Sequence, residues 1–141
     1  MQWRGVATRH KVGRMTDHTA PLPGATRSEV GGVVIDEVPA GAGRLKRVVY
    51  PPGWRWSVDM RASTSNELCQ HGHVGFLVQG HMIAEYADGC RVDQVAPTAV
   101  VIEPGHDAWN AGDEPAVLLQ FDCGQDTVER LGLVGRHLHA P

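Results

Sequence analysis

The sequence predicts an all-β domain, a sandwich or barrel, carrying a metal or ligand site in its mouth. Two observations predict the fold class: short apolar runs rich in β-branched residues, and turn signals roughly every ten residues between them. The runs are Val33-Val34-Ile35, Val48-Val49-Tyr50, Phe76-Leu77-Val78, Met82-Ile83, Val100-Val101-Ile102 and Val117-Leu118-Leu119. The turns fall at Pro51-Pro52-Gly53, Gly80, Asp88-Gly89, Pro104-Gly105 and Gly112-Asp113-Glu114-Pro115. No helical period persists through this region, and no internal repeat suggests a solenoid or propeller.

Residues 1–26 read as an N-terminal arm, 27–125 as the barrel and 126–141 as a C-terminal tail. Arg4, Arg9, Lys11 and Arg14 precede the first acid, Asp17, and Pro21, Pro23 and Gly24 interrupt any pattern before residue 26. In the tail, a short helix is predicted from Asp126 to Val134, with Val128, Leu131 and Val134 on one face.

A chain of 141 residues suits one domain with a single core, and its 17 glycines and 9 prolines suit many turns. A net charge of −3 with mixed signs gives no basic surface for nucleic acid. No run approaches the roughly 18 apolar residues of a membrane span, and no apolar segment of a secretory signal follows the basic residues at the start. Cys69, Cys90 and Cys123 are odd in number without CxxC spacing, which argues for a reducing, cytoplasmic setting. Cys90 and Cys123 read as small inert thiols.

The chemistry concentrates in two clusters. Cys69, His71 and His73 alternate in Cys-Gln-His-Gly-His, which on a strand places three ligating side chains on one face. The second cluster, Glu103-Pro104-Gly105-His106-Asp107-Ala108-Trp109, offers His106 from another strand. The candidate metal ligands are therefore His71, His73, His106 and Cys69. Imidazoles accept Zn, Fe, Mn, Ni or Cu, while a thiolate shifts the choice toward a thiophilic divalent metal. Each ligand has a plainer reading, as a hydrogen-bonded turn histidine or a packed thiol. Trp54, Trp56 and Trp109 are candidates for an apolar substrate wall, with Asp107 to orient His106 or carry a proton. Trp54 and Trp56 alternate as on a strand. No GxSxG, P-loop or GxGxxG occurs, so serine-hydrolase and phosphate-binding readings have no support.

From about Val48 to Cys123 the chain resembles the cupin superfamily, and most closely small single-domain bacterial cupins of the conserved-barrel type. The resemblance rests on Cys69, Gly72-His73-Val74-Gly75, Gly80, Pro104-Gly105-His106-Asp107-Ala108-Trp109 and Gly112-Asp113-Glu114-Pro115. It implies a double-stranded β-helix, the jelly-roll barrel of that superfamily. The first motif of the superfamily has two histidines one residue apart, then an acid or glutamine, then a glycine. Counting back from Gly80 puts the acid position on His73 and the histidine positions near Glu67 and Cys69. Pairing His71 with His73 instead puts the acid position on Leu77 or Val78, neither of which ligates. Gly80 and Asp88-Gly89 favour the first registration. In the second motif the histidine position is Ala108, and His106 stands two residues earlier, which keeps it on the same face.

The resemblance implies a metal-binding cupin that acts on or binds a small organic molecule, as a dioxygenase, isomerase or lyase. The alternative is a non-catalytic sensing or binding module, favoured by the missing acid. A third reading leaves the histidines only filling the barrel mouth. Small cupins commonly exchange N-terminal strands, so the resemblance also implies a homodimer. No nucleic-acid or membrane partner is expected.

Overall fold

The computed structural model describes residues 16–133. The apolar runs form strands where branched side chains alternate across a pleated, half-buried surface. In chain order the strands are β1 (Thr26–Val30), β2 (Val33–Ala40), β3 (Gly43–Tyr50), β4 (His73–Gln79), β5 (His81–Tyr86), β6 (Arg91–Val95), β7 (Thr98–Ile102), β8 (His106–Asn110) and β9 (Ala116–Asp122). Two four-residue α-helices, α1 (Trp56–Asp59) between β3 and β4 and α2 (Thr127–Arg130) after β9, and a 3-10 turn at Arg61–Ser63 complete the described fold.

The strands make two antiparallel sheets, one of six in the order β1-β2-β3-β9-β4-β7 and one of three in the order β6-β5-β8. Alternation gives each strand an inner and an outer face. Val48, Leu77, Met82, Ala84, Val100, Ile102 and Leu118 belong to one buried cluster between the sheets. Leu77 is 1% exposed, and burial of such a side chain contributes about 1.5–3 kcal/mol.

Two glycines show how closely the strands approach. Gly80 turns β4 into β5 at φ 85°, a left-handed conformation that glycine adopts without steric cost. A Cβ on Gly75 would stand 1.8 Å from the Leu119 carbonyl oxygen, so β4 and β9 lie together only because that position is bare. On the outer face, Asp36 of β2 takes Arg47 at 2.5 Å and Arg27 at 2.8 Å, and the two guanidiniums hold its carboxyl well below the usual range.

All six predicted apolar runs fall within strands: β2, β3, β4, β5, β7 and β9. Three expectations differ from the structure. Cys69 and His71 precede β4, which starts at His73, so strand alternation does not bring the three residues together. Trp54 and Trp56 lie at a turn and at the start of α1 rather than on a strand. The tail helix is only α2, with Val128 buried and Leu131 46% exposed. Val134, and residues 1–15 of the predicted arm, lie outside the described residues. No helix among the described residues is long and apolar enough to cross a membrane.

Candidate metal centre

The Pro104-Gly105 turn delivers His106 as the first residue of β8, with Gly105 at φ 90°. Its backbone forms an isolated bridge with Cys69, and residues opposite one another in such a bridge present side chains to the same face. His73, the first residue of β4, pairs with Ile102 of β7. These three placements bring Cys69 Sγ and one ring nitrogen each of His73 and His106 within 4.8 Å of one another. Around a tetrahedral zinc, donors stand roughly 3.3–3.8 Å apart for bonds of about 2.0–2.3 Å, so a small contraction closes the set.

The hydrogen bonds of the two rings decide which nitrogens are free. His106 Nδ1 donates to the Glu103 carbonyl at 2.7 Å, an acceptor only, and His73 Nδ1 donates to Gln120 Oε1 at 2.9 Å. Each ring therefore keeps a lone pair on Nε2. His73 Nε2 lies 3.9 Å from Cys69 Sγ. A histidine whose Nδ1–H is fixed by a carbonyl, leaving Nε2 for the ion, is the usual condition of an imidazole ligand.

Burial sets the charge states. It lowers His73 to about 3, with the neighbouring His106 adding to the effect, and lowers His106 to about 4 against the pull of the Glu103 carbonyl. Both rings are neutral at neutral pH. Burial pushes the Cys69 thiol up, so Cys69 carries a proton that a metal would displace. The residues fit a divalent transition metal by donor type, protonation and outer support. The site is 8% exposed at Cys69 and 1% at His106.

The other predicted residues divide. His71 reaches the same cavity, with its ring 5.4 Å from that of His73, but its Nε2 turns to Asp122 Oδ1 at 3.1 Å. Asp122 is itself 1% exposed and pairs with Lys46 Nζ at 2.5 Å, and His71, which burial keeps toward its neutral form, stands against that ion pair beside the ligand triad. Trp54 and Trp56 line the cavity and are buried, although not by the strand alternation expected. Asp107 and Trp109 do not reach it. They hold the opposite parity to His106 on β8, and they face outward. Asp107 binds Arg55 Nε at 2.8 Å and the Ser57 N–H at 3.0 Å, and Arg55 and Arg91 lie 4.4 and 5.3 Å from the Trp109 ring. Glu67 pairs with Arg61 at the exposed surface, away from the ligands.

Sequence reasoning missed Gln120 and Tyr86. Gln120 stands two residues from Leu118 on β9, a polar residue at an inward position, and that parity was its available signal. Tyr86 accepts the Glu103 N–H at 3.0 Å, steadying the loop whose carbonyl holds His106.

The cavity under the triad measures about 280 Å³, near the lower end of small-molecule sites, about 300–1,000 Å³. Its walls are mainly apolar, from Val48, Trp54, Leu77, Met82 and Leu118.

Solved structures share this architecture. A Cupin 2 conserved barrel domain protein from Salinispora arenicola CNS-205 superposes with a TM-score of 0.52 at 18% identity, covering 79% of this chain and 92% of that one. The chain has the cupin fold. An RmlC-like cupin from Shewanella frigidimarina NCIMB 400 matches at TM-score 0.50 and 13% identity, over 76% and 90% of the two chains. AerE from Microcystis aeruginosa matches at TM-score 0.53 and 13% identity, over 70% of this chain. This chain spans only 44% of AerE. No family model matches the sequence, and no curated protein matches it.

Proposed function

We propose that this cupin binds a divalent transition metal through Cys69, His73 and His106 and takes a small organic molecule in the cavity beneath it. The carrying observation is the pair of fixed Nδ1–H groups, which leave both Nε2 lone pairs beside the thiol. One thiolate and two imidazoles suit zinc best, with other thiophilic divalent ions next. When bound, the metal supplies Lewis acidity and open coordination positions. The chain's own residues exclude water with Trp54, Trp56 and Leu118, and hold the imidazoles through Gln120 and Glu103.

Metal analysis of protein purified without a chelating column tests this. About one equivalent is expected, with thermal stabilisation on added zinc that vanishes in His73→Ala. Less than about a tenth of an equivalent, and no stabilisation by Zn, Mn, Fe, Ni or Cu, overturns it.

A specific observation favours a second reading, a binding module without turnover. The described residues lining the cavity include no carboxylate, so no acid stands ready to take a proton from a bound molecule. Isomerase, lyase or dioxygenase turnover by the metal-loaded protein, abolished in His106→Ala, excludes the module reading.

Two further points belong to the proposal. The outer face of the six-stranded sheet exposes Leu45 (43%), Phe76 (54%), Leu119 (42%) and Phe121 (50%), and strand register sets Phe76 beside Leu119 and Phe121 beside Leu45. Such a contiguous patch supports a homodimer packed sheet to sheet. Light scattering at micromolar concentration is expected to give a dimer for the native chain and a monomer for Phe121→Glu. Three unpaired cysteines fit a reducing, cytoplasmic setting.

A further inference from the structure

One inner residue has no role in the metal centre. Gln94, on β6, is 5% exposed, and its strand alternates so that Val92 and Gln94 point inward. Its side chain lines the cavity. Among the described residues its carboxamide makes no hydrogen bond, whereas the other inner carboxamides, Asn110 and Gln120, are each engaged. An amide facing a mainly apolar cavity without a protein partner forgoes a hydrogen bond that a bound molecule can supply.

Strand register fixes where Gln94 stands. It lies opposite Met82 on β5, while Tyr86 of β5 lies opposite His106, so four residues, or about 13 Å of strand, separate the two levels. Gln94 therefore marks the end of the cavity remote from Cys69, His73 and His106. Between them the lining is apolar, from Val48, Leu77, Ala84 and Leu118. Lys46, the charged side chain in the described lining, pairs in register with Gln120 on the metal side. The Gln94 end carries no charge.

We infer that the cavity takes a single-ring molecule polar at both ends, with a metal-chelating group at Cys69, His73 and His106 and an uncharged hydroxyl or amide at Gln94. The inference rests on the reading of those three residues as metal ligands. An uncharged partner follows from the neutral carboxamide, which offers one acceptor and two donors and nothing to balance an ion. A single ring follows from the 280 Å³ available. Tyr50 pairs in register with Ala116, four residues along β9 from Gln120, so its backbone stands at the Gln94 level; it is 8% exposed and lines the cavity, and its hydroxyl has no partner among the described residues.

The experiment has two arms. In the first, metal-free protein is titrated with p-cresol and p-xylene by heteronuclear NMR. The two rings are alike in size and lack a chelating group, so this arm reads Gln94 without the metal. Native protein is expected to prefer p-cresol, and the preference should fall about tenfold in both Gln94→Met and Gln94→Leu, because the unpaired amide is what penalises the methyl group. In the second arm, zinc-loaded protein is titrated with benzohydroxamic and 4-hydroxybenzohydroxamic acids by calorimetry, and the hydroxyl should tighten binding only where Gln94 is intact. Equal affinity of native protein for p-cresol and p-xylene overturns the inference, with ordered water as the amide's partner. A cresol preference that persists in both Gln94 variants overturns it as well. Hydroxamate binding indifferent to zinc defeats the metal reading instead, while the cresol preference still reports on Gln94.

Discussion

Cys69 and His106 are joined through their backbones: the Cys69 N–H donates to the His106 carbonyl at 2.8 Å, and the N–H groups of Gly105 and His106 donate back to the Cys69 carbonyl at 2.7 and 3.2 Å. The thiol and the imidazole thus face one another across a bridge that the fold supplies. Residues 37 positions apart in sequence are brought together in this way by backbone hydrogen bonds. Pre-arranged ligands spare the ion the entropy of ordering the loop.

The protonation states make the first prediction. Near neutral pH both imidazoles are already neutral and the Cys69 thiol is protonated, so zinc binding releases about one proton, from sulfur. Calorimetry in buffers of different ionisation enthalpy measures that number. In Cys69→Ser the release should fall toward zero and affinity should drop. A native value of zero removes the thiol from the ligand set.

Gln120 makes the second. It holds His73 by Nδ1, and its loss frees the ring to turn or to present the wrong nitrogen. Gln120→Leu is expected to lower zinc affinity by about 10–100-fold with little change in unfolding midpoint. Gln120→Glu, which keeps an acceptor at Nδ1, should recover most of that affinity. Equal affinities in all three proteins, measured by chelator competition, refute a supporting role for this side chain.

Acid stability of the metal-free protein is the third. The folded state holds His73 at about 3 and His106 at about 4, below the usual 6.5, so the unfolded chain binds protons that the folded chain refuses. Depressed values mean that stability is complete above pH 6.5 and is lost as pH falls toward 4 and 3. The loss approaches about 1.4 kcal/mol per pH unit for each histidine. Carboxylates such as Asp36 begin to contribute about one unit above their usual 3.8, so the interval from 6.5 to about 5 isolates the histidines. Urea unfolding across that interval should show a steep decline, made shallower by His73→Gln. A flat profile is incompatible with buried, neutral imidazoles.

Much of the barrel was legible because branched apolar runs between glycine and proline turns encode strands locally. β1, β6 and β8 were harder, since Thr-Arg-Ser-Glu-Val, Arg-Val-Asp-Gln-Val and His-Asp-Ala-Trp-Asn hold too few apolar residues to stand out. Three of the four predicted ligands come together, but the expected reason differed. Alternation fails for Cys69 because β4 starts at His73, and a bridge to His106 does the positioning instead. His71 was indistinguishable from His73 in sequence, because Asp122, which draws it aside, lies 51 residues away. Such long-range pairings leave no local trace.

Asp107 carries the last prediction, because sequence adjacency to His106 suggested a proton carrier and the structure gives it a different task. Its carboxylate, on an outward position of β8, accepts from Arg55 Nε at 2.8 Å, from the Ser57 N–H at 3.0 Å and from Ser57 Oγ at 2.9 Å. Ser57 lies in the first turn of α1, beside Trp56, which lines the cavity. Asp107 is 7% exposed, so Asp107→Ala leaves the Ser57 N–H without its acceptor and Arg55 without its counter-charge. A loss of about 1–3 kcal/mol in urea unfolding is expected. The variant should also bind cavity ligands more weakly, as α1 and its tryptophan loosen. Zinc stoichiometry should stay unchanged, because Glu103 and Gln120, not Asp107, fix the ligand rings. A variant that unfolds like the native protein but loses zinc would return Asp107 to the metal centre.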